Sequence, residues 1–430
     1  MEGVINYILN FLTGNETIGG VPQFIGYTSD PMQFHKYKIV IIPSHFFDEK
    51  VYGTPESLPS LPLQTLEGIP FLFGTPQISR DKGTILLHAD LVASSFFMIS
   101  RYEELIRRNE RDQHGRFPGK ESLPYRAGII KRPFLDEYRM LIKRLLESNG
   151  TIKKQTIPKI TSVYLTHDID APTLYRSWKG FLRCIRDTKN IGYAIERKWG
   201  DIRKDPYYTY PEIEKTENFF TGRNRSLYKT YYFIKAGGNH RLDKPHYRIN
   251  TPDIKQLIDF LDKAGNRIGL HGSYEAGQHP GLIYKEKYRL EQALGREIID
   301  YRSHFLCSRE PEDLRTLLLS GIKNDFTLGY ADIAGFRLGT SRCVRWIDPS
   351  KRAVTNLTLC PLTIMDCTLM SARYQNLSFD AALAYCREII TNTASVNGEI
   401  SLLWHNDSFT PNNVLHTLYE QLLQEIGKHL

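Results

Sequence analysis

Ser162-Val163-Tyr164-Leu165-Thr166, running into His167-Asp168-Ile169-Asp170 and then Ala171-Pro172, is the stretch on which the fold turns. Its first five residues, rich in apolar and β-branched side chains, read as a buried strand, and Ala171-Pro172 ends it. Two carboxylates at a strand end repel each other unless a cation or strong donors offset their charge, so the pair points to a divalent metal beside a base. The plainer alternative is a pair of turn and helix-capping aspartates. Four more polar clusters, each closing an apolar segment, argue against it. These are Leu270-His271-Gly272-Ser273-Tyr274-Glu275, Tyr301-Arg302-Ser303-His304-Phe305, Asn324-Asp325-Phe326-Thr327 and Leu403-Trp404-His405-Asn406-Asp407. Strand ends that repeatedly carry His, Asp or Arg are what an α/β barrel offers, because its active site is built at the carboxyl ends of several strands.

Taken in order, these clusters resemble the motifs of the NodB-type polysaccharide deacetylases, carbohydrate esterase family four, over residues 160–410. The resemblance implies a metal-dependent hydrolase that removes N-acetyl groups from a sugar of a glycan or glycolipid precursor. It also implies a distorted or incomplete β/α barrel, here of the bacterial branch with an extra, smaller α/β N-terminal domain. The family's first motif, Thr-Phe-Asp-Asp, is matched in spaced form by Thr166-His167-Asp168-Ile169-Asp170, which implies Asp168 as general base and Asp170 as metal ligand. In the second, His-Ser/Thr-x-x-His, His271 takes the first position and Glu275 stands where the family has its second His. Glu275 is therefore the expected third ligand by spacing; His279 and His304 compete for that place, and His304 has the more usual zinc chemistry. The third motif, Arg-x-Pro-Tyr, is echoed by Arg302 with His304 and Phe305 departing from it. It implies that Arg302 holds Asp168 by a bidentate pair and that the Phe305 backbone N–H donates to an oxyanion. Leu403-Trp404-His405 matches the last motif and implies His405 as the acid for the leaving amine. The implied cofactor is a divalent metal, Zn²⁺ first, then Co²⁺ or Mn²⁺. Two other readings stand beside this one: a carbohydrate-binding protein that kept the groove and lost catalysis, and an amide hydrolase on a non-sugar substrate, since fold does not fix substrate.

The 430 residues, 41% hydrophobic and 24% charged, suffice for two soluble domains. Residues 1–155 read as an accessory unit with strands near 37–43 and 84–88, one helix over 91–106 and another over 133–147. His45, His88 and Glu103 there are expected to be structural. Residues around 112–119 read as a surface loop, and Lys153-Lys154-Gln155 completes a linker. Residues 156–430 then alternate strand and helix, as parallel βα units do. Thr251-Pro252 starts one helix, Ser378 precedes another and Thr410-Pro411 starts the last. An insertion at 177–229 carries excess Lys and Arg among Trp178, Trp199, Tyr207, Tyr208 and Tyr210. That mixture suits sugar stacking and contact with an anionic glycan or lipid phosphate, and equally suits a helical flap packed on the barrel. The net charge of +8 permits such anionic partners, and no nucleic acid is expected. The six cysteines show no C-x-x-C spacing and read as neither a zinc knuckle nor a disulfide framework. The first residues lack the features of a secretory signal, and no run reaches the roughly 20 apolar residues of a membrane span. A cytoplasmic protein acting on an acetylated carbohydrate is the resulting expectation. Asp325 and Asp332 are expected to support the site.

Overall fold

The structure, a computed structural model, describes residues 1–14, 24–151 and 159–430. The expected linker at Lys153-Lys154-Gln155, and with it the boundary at 155–156, lies outside the described residues. The first part begins with a helix at Glu2–Thr13. It continues through β1 (Ile25–Tyr27), β2 (Ile39–Ile41), β3 (Gln64–Leu66), β4 (Ile69–Phe71), β5 (Gly74–Asp81) and β6 (Thr84–Ala89). β1, β2 and β6 pair in parallel, β5 joins β6 antiparallel, and β3 with β4 forms a separate hairpin. The single helix expected over 91–106 is two, Leu91–Ile99 and Tyr102–Ile106. Arg101 breaks it at φ 60, with its buried guanidinium donating to Ser308 Oγ at 2.8 Å and to Glu104.

The larger sheet comprises β7 (Ser162–Ile169), β8 (Tyr228–Ile234), β9 (Arg267–Gly272), β10 (Asp300–Ser303), β11 (Asn324–Asp325), β12 (Val344–Asp348), β13 (Ala353–Leu359), β14 (Ile364–Met365) and β15 (Glu399–Leu403). Its order is β12-β13-β11-β10-β9-β8-β7-β15-β14, parallel throughout except for the antiparallel β12. The molecule is thus mixed α/β with mainly parallel sheets. β13, next to one end of that order, and β14, at the other end, are successive parts of one segment. Cys360 N donates to Asp325 O, and Thr363 N donates to Ser401 O three residues later. Residues 360–363 therefore carry the chain from the side of β11 to the side of β15. Helices Glu2–Thr13 and Leu91–Ile99 pack on β13 and β12, so the first part of the chain covers the antiparallel end, and one hydrophobic core runs through both sheets. A buried ionic group adds to this junction: Glu104 accepts two bonds from Arg337, at 3.1 and 2.8 Å.

β7 is buried at every residue, as a central parallel strand covered on both faces must be. It runs three residues past Thr166, because pairing with β8 continues to Ile169 opposite Ile234. Side chains alternate along a strand, so Thr166 and Asp168 share one face, with Asp170 next in phase, while His167 faces the other way. His167 Nδ1 donates to Trp404 O at 2.8 Å and its Nε2 lies 2.8 Å from Glu217, which also accepts from Thr230 and Tyr419. That network ties down helices Tyr210–Thr221 and Val414–Gly427.

The insertion is helical, with Trp178–Thr188, Ile191–Trp199 and Tyr210–Thr221. Two local expectations need correction. The last helix begins at Val414, because Asn413 rather than Thr410 caps it through Leu415 N at 3.0 Å. Cys343 and Cys360 form a disulfide across β12 and β13, a pairing that their 17-residue spacing hides until the two strands fold together. No helix among the described residues is long and apolar enough to cross a membrane.

Glu286, on helix Leu282–Leu294, is 2% exposed and accepts from Ser273 N at 3.0 Å and Ser273 Oγ at 2.5 Å. Burial pushes its carboxyl from 4.5 up to about 7. An acid raised on folding binds its proton in the folded chain while the unfolded chain has lost it. Stability therefore falls as pH rises from about 4.5 to about 7 and is level above that. Glu286→Gln should remove this slope. The difference in unfolding free energy between variant and wild type should shift in the variant's favour by up to about 3 kcal/mol between pH 4 and pH 8. Parallel pH profiles in urea denaturation would refute it.

Candidate metal centre

Three histidines and two aspartates from four strand ends meet at one point. Asp168 lies in β7 and Asp170 just beyond it, His271 lies in β9, His304 follows β10 and His405 follows β15. Asp170 Oδ1 is 3.1 Å from His271 Nε2 and 3.2 Å from His304 Nε2, and its Oδ2 is 3.6 Å from His405 Nε2. Asp168 Oδ2 lies 3.7 Å from His271 Nε2.

Each ring is oriented through its other nitrogen. His271 Nδ1 donates to Arg302 O at 3.1 Å, His304 Nδ1 to Asp243 Oδ1 at 3.0 Å, and His405 Nδ1 to Asp366 Oδ1 at 2.9 Å. A carbonyl or carboxylate can only accept, so every Nδ1 carries a proton. A neutral ring then aims its Nε2 lone pair at the carboxylate of Asp170. Lone pairs facing a carboxylate are stable only around a cation or with the rings protonated. The donors of Asp170, His271 and His304 all lie within 4.8 Å of one another, and two imidazoles with one carboxylate is a zinc-like set. The residues present fit a divalent cation.

The electrostatics agree with that fit. Burial alone would raise the Asp170 carboxyl, but His304 and His271 hold it well below its ordinary range, so it is ionised and available. Burial alone would lower His304, yet Asp170 and Asp243 raise it. Asp243 is itself fixed by Tyr274 N at 2.6 Å and Glu275 N at 3.2 Å, the start of helix Tyr274–Gln278. His405 is pulled well above its usual value by Asp366 and Asp170 against the opposing effect of burial. A second group, Asp366, Cys367 and His405, also has donors close together. Its carboxylate is already committed to His405 N, His405 Nδ1, Cys367 N and Ser408 Oγ, which makes it an anchor for His405.

Arg302 is fully buried and donates through Nη1 to Asp168 Oδ1 at 3.0 Å and Thr166 Oγ1 at 2.8 Å, and through Nε to Phe326 O at 3.0 Å. Its guanidinium lies 4.6 Å from the Phe233 ring, and Gly269 leaves room for that ring, since a Cβ there would fall 2.6 Å from it. The expected bidentate pair is corrected to a single bond, because Nη1 is shared with Thr166 and Nη2 meets no partner among the described residues.

The expectation for Glu275 is also corrected. His271 still belongs to β9, whereas Glu275 sits on the short helix after it. The Glu275 Oε2 accepts from Asn239 N at 2.7 Å, away from the donor group that His304 completes. His279 follows the end of the same helix and is not in that group. Asp325 accepts from Thr327 N and Oγ1, and Asp332 accepts from Gly119 N and Lys120 N, so neither touches the centre. His88 bonds Ser79, His45 bonds Asp48 and Glu103 accepts from Leu123 N and Arg126.

Asp168, Asp170, His304 and His405 line a cavity of about 130 Å³ with Phe305 and Cys367. Beside it lies a groove of about 640 Å³, sharing Arg116, Phe305 and Tyr374 as walls. Phe305 has φ 60, and its carbonyl accepts from Arg116 Nη1 at 2.7 Å. Arg116 in turn pairs with Asp112, so the loop expected over 112–119 forms one wall of the groove. Sequence reasoning missed Asp243, Asp366 and Arg116. Each acts on a neighbour across the fold, and none belongs to a local pattern.

A family model described as a family of unknown function, DUF7033, matches residues 5–151. No curated protein matches the chain. A structure from Mycobacterium smegmatis, described as a polysaccharide deacetylase, is 15% identical, with 64% of this chain and 86% of that one covered at a TM-score of 0.40. A mutant of a CE4 family pseudoenzyme with restored enzymatic activity is 9% identical, with 64% and 69% covered at a TM-score of 0.28. Likeness this distant carries no argument about chemistry, which rests on the side chains described above.

Proposed function

We propose that the chain is a metal-dependent hydrolase that removes the N-acetyl group from a sugar of a glycan or glycolipid precursor. On this reading the sheet joined through residues 353–365 is a distorted NodB-type barrel, residues 156–430 are the catalytic domain and residues 1–155 shape its groove. The observation that carries the proposal is the convergence of three Nε2 atoms on Asp170 with a second, buried carboxylate, Asp168, beside them. A sugar-binding protein needs no such set.

Asp170, His271 and His304 would hold the cation. Zn²⁺ is the first candidate and Co²⁺ or Mn²⁺ the next, and the ion supplies Lewis-acid polarisation of the acetyl carbonyl and a lowered pKa for water. Asp168 takes the proton of the attacking water as general base, and the single bond from Arg302 orients it. His405, held by Asp366 on the cavity wall, gives a proton to the departing nitrogen. The N–H of Phe305 donates to the oxyanion, and Arg116 holds the same residue through its carbonyl, in the next peptide group.

The deciding experiment measures the metal content of the purified protein and acetate release from N-acetylglucosamine oligomers. We expect one equivalent of metal per chain, with release lost on chelation and recovered with Zn²⁺, Co²⁺ or Mn²⁺. Metal-loaded protein that binds these sugars in its groove and releases no acetate would reduce the site to a binding function.

A further inference from the structure

Residues 176–204 build a helical hairpin whose apolar surface faces outward. Helices Trp178–Thr188 and Ile191–Trp199 pack together, and the residues they bury are small: Gly180, Cys184 and Ala194. Five of their large apolar side chains stay in solvent. Trp178 is 65% exposed, Leu182 64%, Ile191 63%, Trp199 58% and Ile195 48%. Trp178 and Leu182 are four residues apart on the first helix, and Ile191, Ile195 and Trp199 follow the same spacing on the second, so each helix presents one apolar stripe. The Trp178 and Trp199 rings meet edge on at 5.8 Å, with Lys198 Nζ 4.4 Å from the Trp178 ring centre. Within 176–204 there are nine Lys and Arg against three Asp and Glu.

The hairpin is fixed to the rim that carries the metal centre. Arg176 makes two bonds to Asp253, at 2.6 and 2.8 Å, and donates to Gly200 O at 2.8 Å. Asn406, the residue after His405, donates through Nδ2 to Ala171 O at 3.1 Å and Tyr207 O at 2.9 Å, on either side of the hairpin.

We propose that this hairpin docks the protein on an anionic membrane surface. Trp178, Leu182, Ile191, Ile195 and Trp199 would enter the boundary between headgroups and acyl chains while the surrounding Lys and Arg meet lipid phosphates. Indole rings favour that boundary, and basic side chains keep their charge in the headgroup layer while their stems cover apolar surface. Charge decides between this occupant and a second copy of the chain. Two such hairpins face to face set cation against cation, whereas an anionic bilayer supplies the complementary sign. Delivery of a lipid-linked sugar to the centre rests on the deacetylase reading; docking itself does not, and it is measured without turnover.

The test is sedimentation of the full chain with vesicles of phosphatidylcholine alone and with vesicles that also contain phosphatidylglycerol. Trp346 and Trp404, the other two tryptophans, are fully buried, so a blue shift of emission on docking reports Trp178 and Trp199. Binding to the anionic vesicles is expected to weaken with salt and to fall by roughly tenfold or more in Trp178→Ser/Trp199→Ser. Absence of binding to anionic vesicles overturns the proposal, as does a double variant that binds like wild type. A dimer in solution that Leu182→Glu dissolves, in place of vesicle binding, overturns it in favour of self-association.

Discussion

Asp168→Asn is expected to keep one equivalent of bound metal and to lose deacetylation rate by roughly a hundredfold or more. The amide preserves the shape of the side chain and keeps an oxygen for Arg302 Nη1, now 3.0 Å from Oδ1. It cannot accept the proton of water. Asp170, His271 and His304 are untouched, so the two readouts separate a base from a ligand. The substitution also leaves the Arg302 guanidinium buried without its counter-charge, which costs up to about 3–5 kcal/mol. Thermal unfolding must therefore accompany the kinetics. Asp168→Glu provides the second arm, because it keeps the charge and displaces the carboxylate by one methylene: folding should recover and rate should remain low. Rate close to wild type in Asp168→Asn, with metal bound, would remove Asp168 from the chemistry.

The part of this site legible in the sequence was the part written as strand ends. In Thr166-His167-Asp168-Ile169-Asp170 the period of two puts both carboxylates in phase and sends His167 to the opposite face. His271 and His405 stand at or just past the ends of apolar runs, so their place at the carboxyl rim followed from the alternation of strand and helix. What could not be read was whatever depends on separate segments meeting. Asp243 and Asp366 orient His304 and His405 from short helical turns that no motif marks. The join between β13 and β14 is visible only in hydrogen bonds from one segment to both β11 and β15. Burial has the same character: Arg101 breaks a helix that periodicity would continue, because its guanidinium is held inside by Ser308 and Glu104.

The second large effect concerns the third ligand, where sequence spacing and geometry part. His304→Ala should lower metal affinity by roughly a hundredfold or more, since the loss of a supporting carboxylate alone costs about 10–100-fold and a ligand contributes more. Glu275→Gln should leave affinity unchanged: its oxygen receives Asn239 N, and a carboxamide accepts that bond as well. Asp243→Asn falls between them. It keeps an acceptor for the backbone of Tyr274 while weakening the charged partner that fixes the His304 tautomer, so a loss of about 10–100-fold in metal affinity is expected, with metal-saturated protein recovering rate. Competition with a chromogenic chelator measures all three on one scale. The spacing argument from His271 to Glu275 assumed a single helical turn, but the chain leaves β9 at Gly272 and begins its helix only at Tyr274, which turns the fourth residue away from the centre. His304 reaches the same point from β10, the neighbouring strand, with its Arg302 paired to His271. Loss of metal in Glu275→Gln with full retention in His304→Ala would reverse the assignment and require the helix Tyr274–Gln278 to rotate when metal binds.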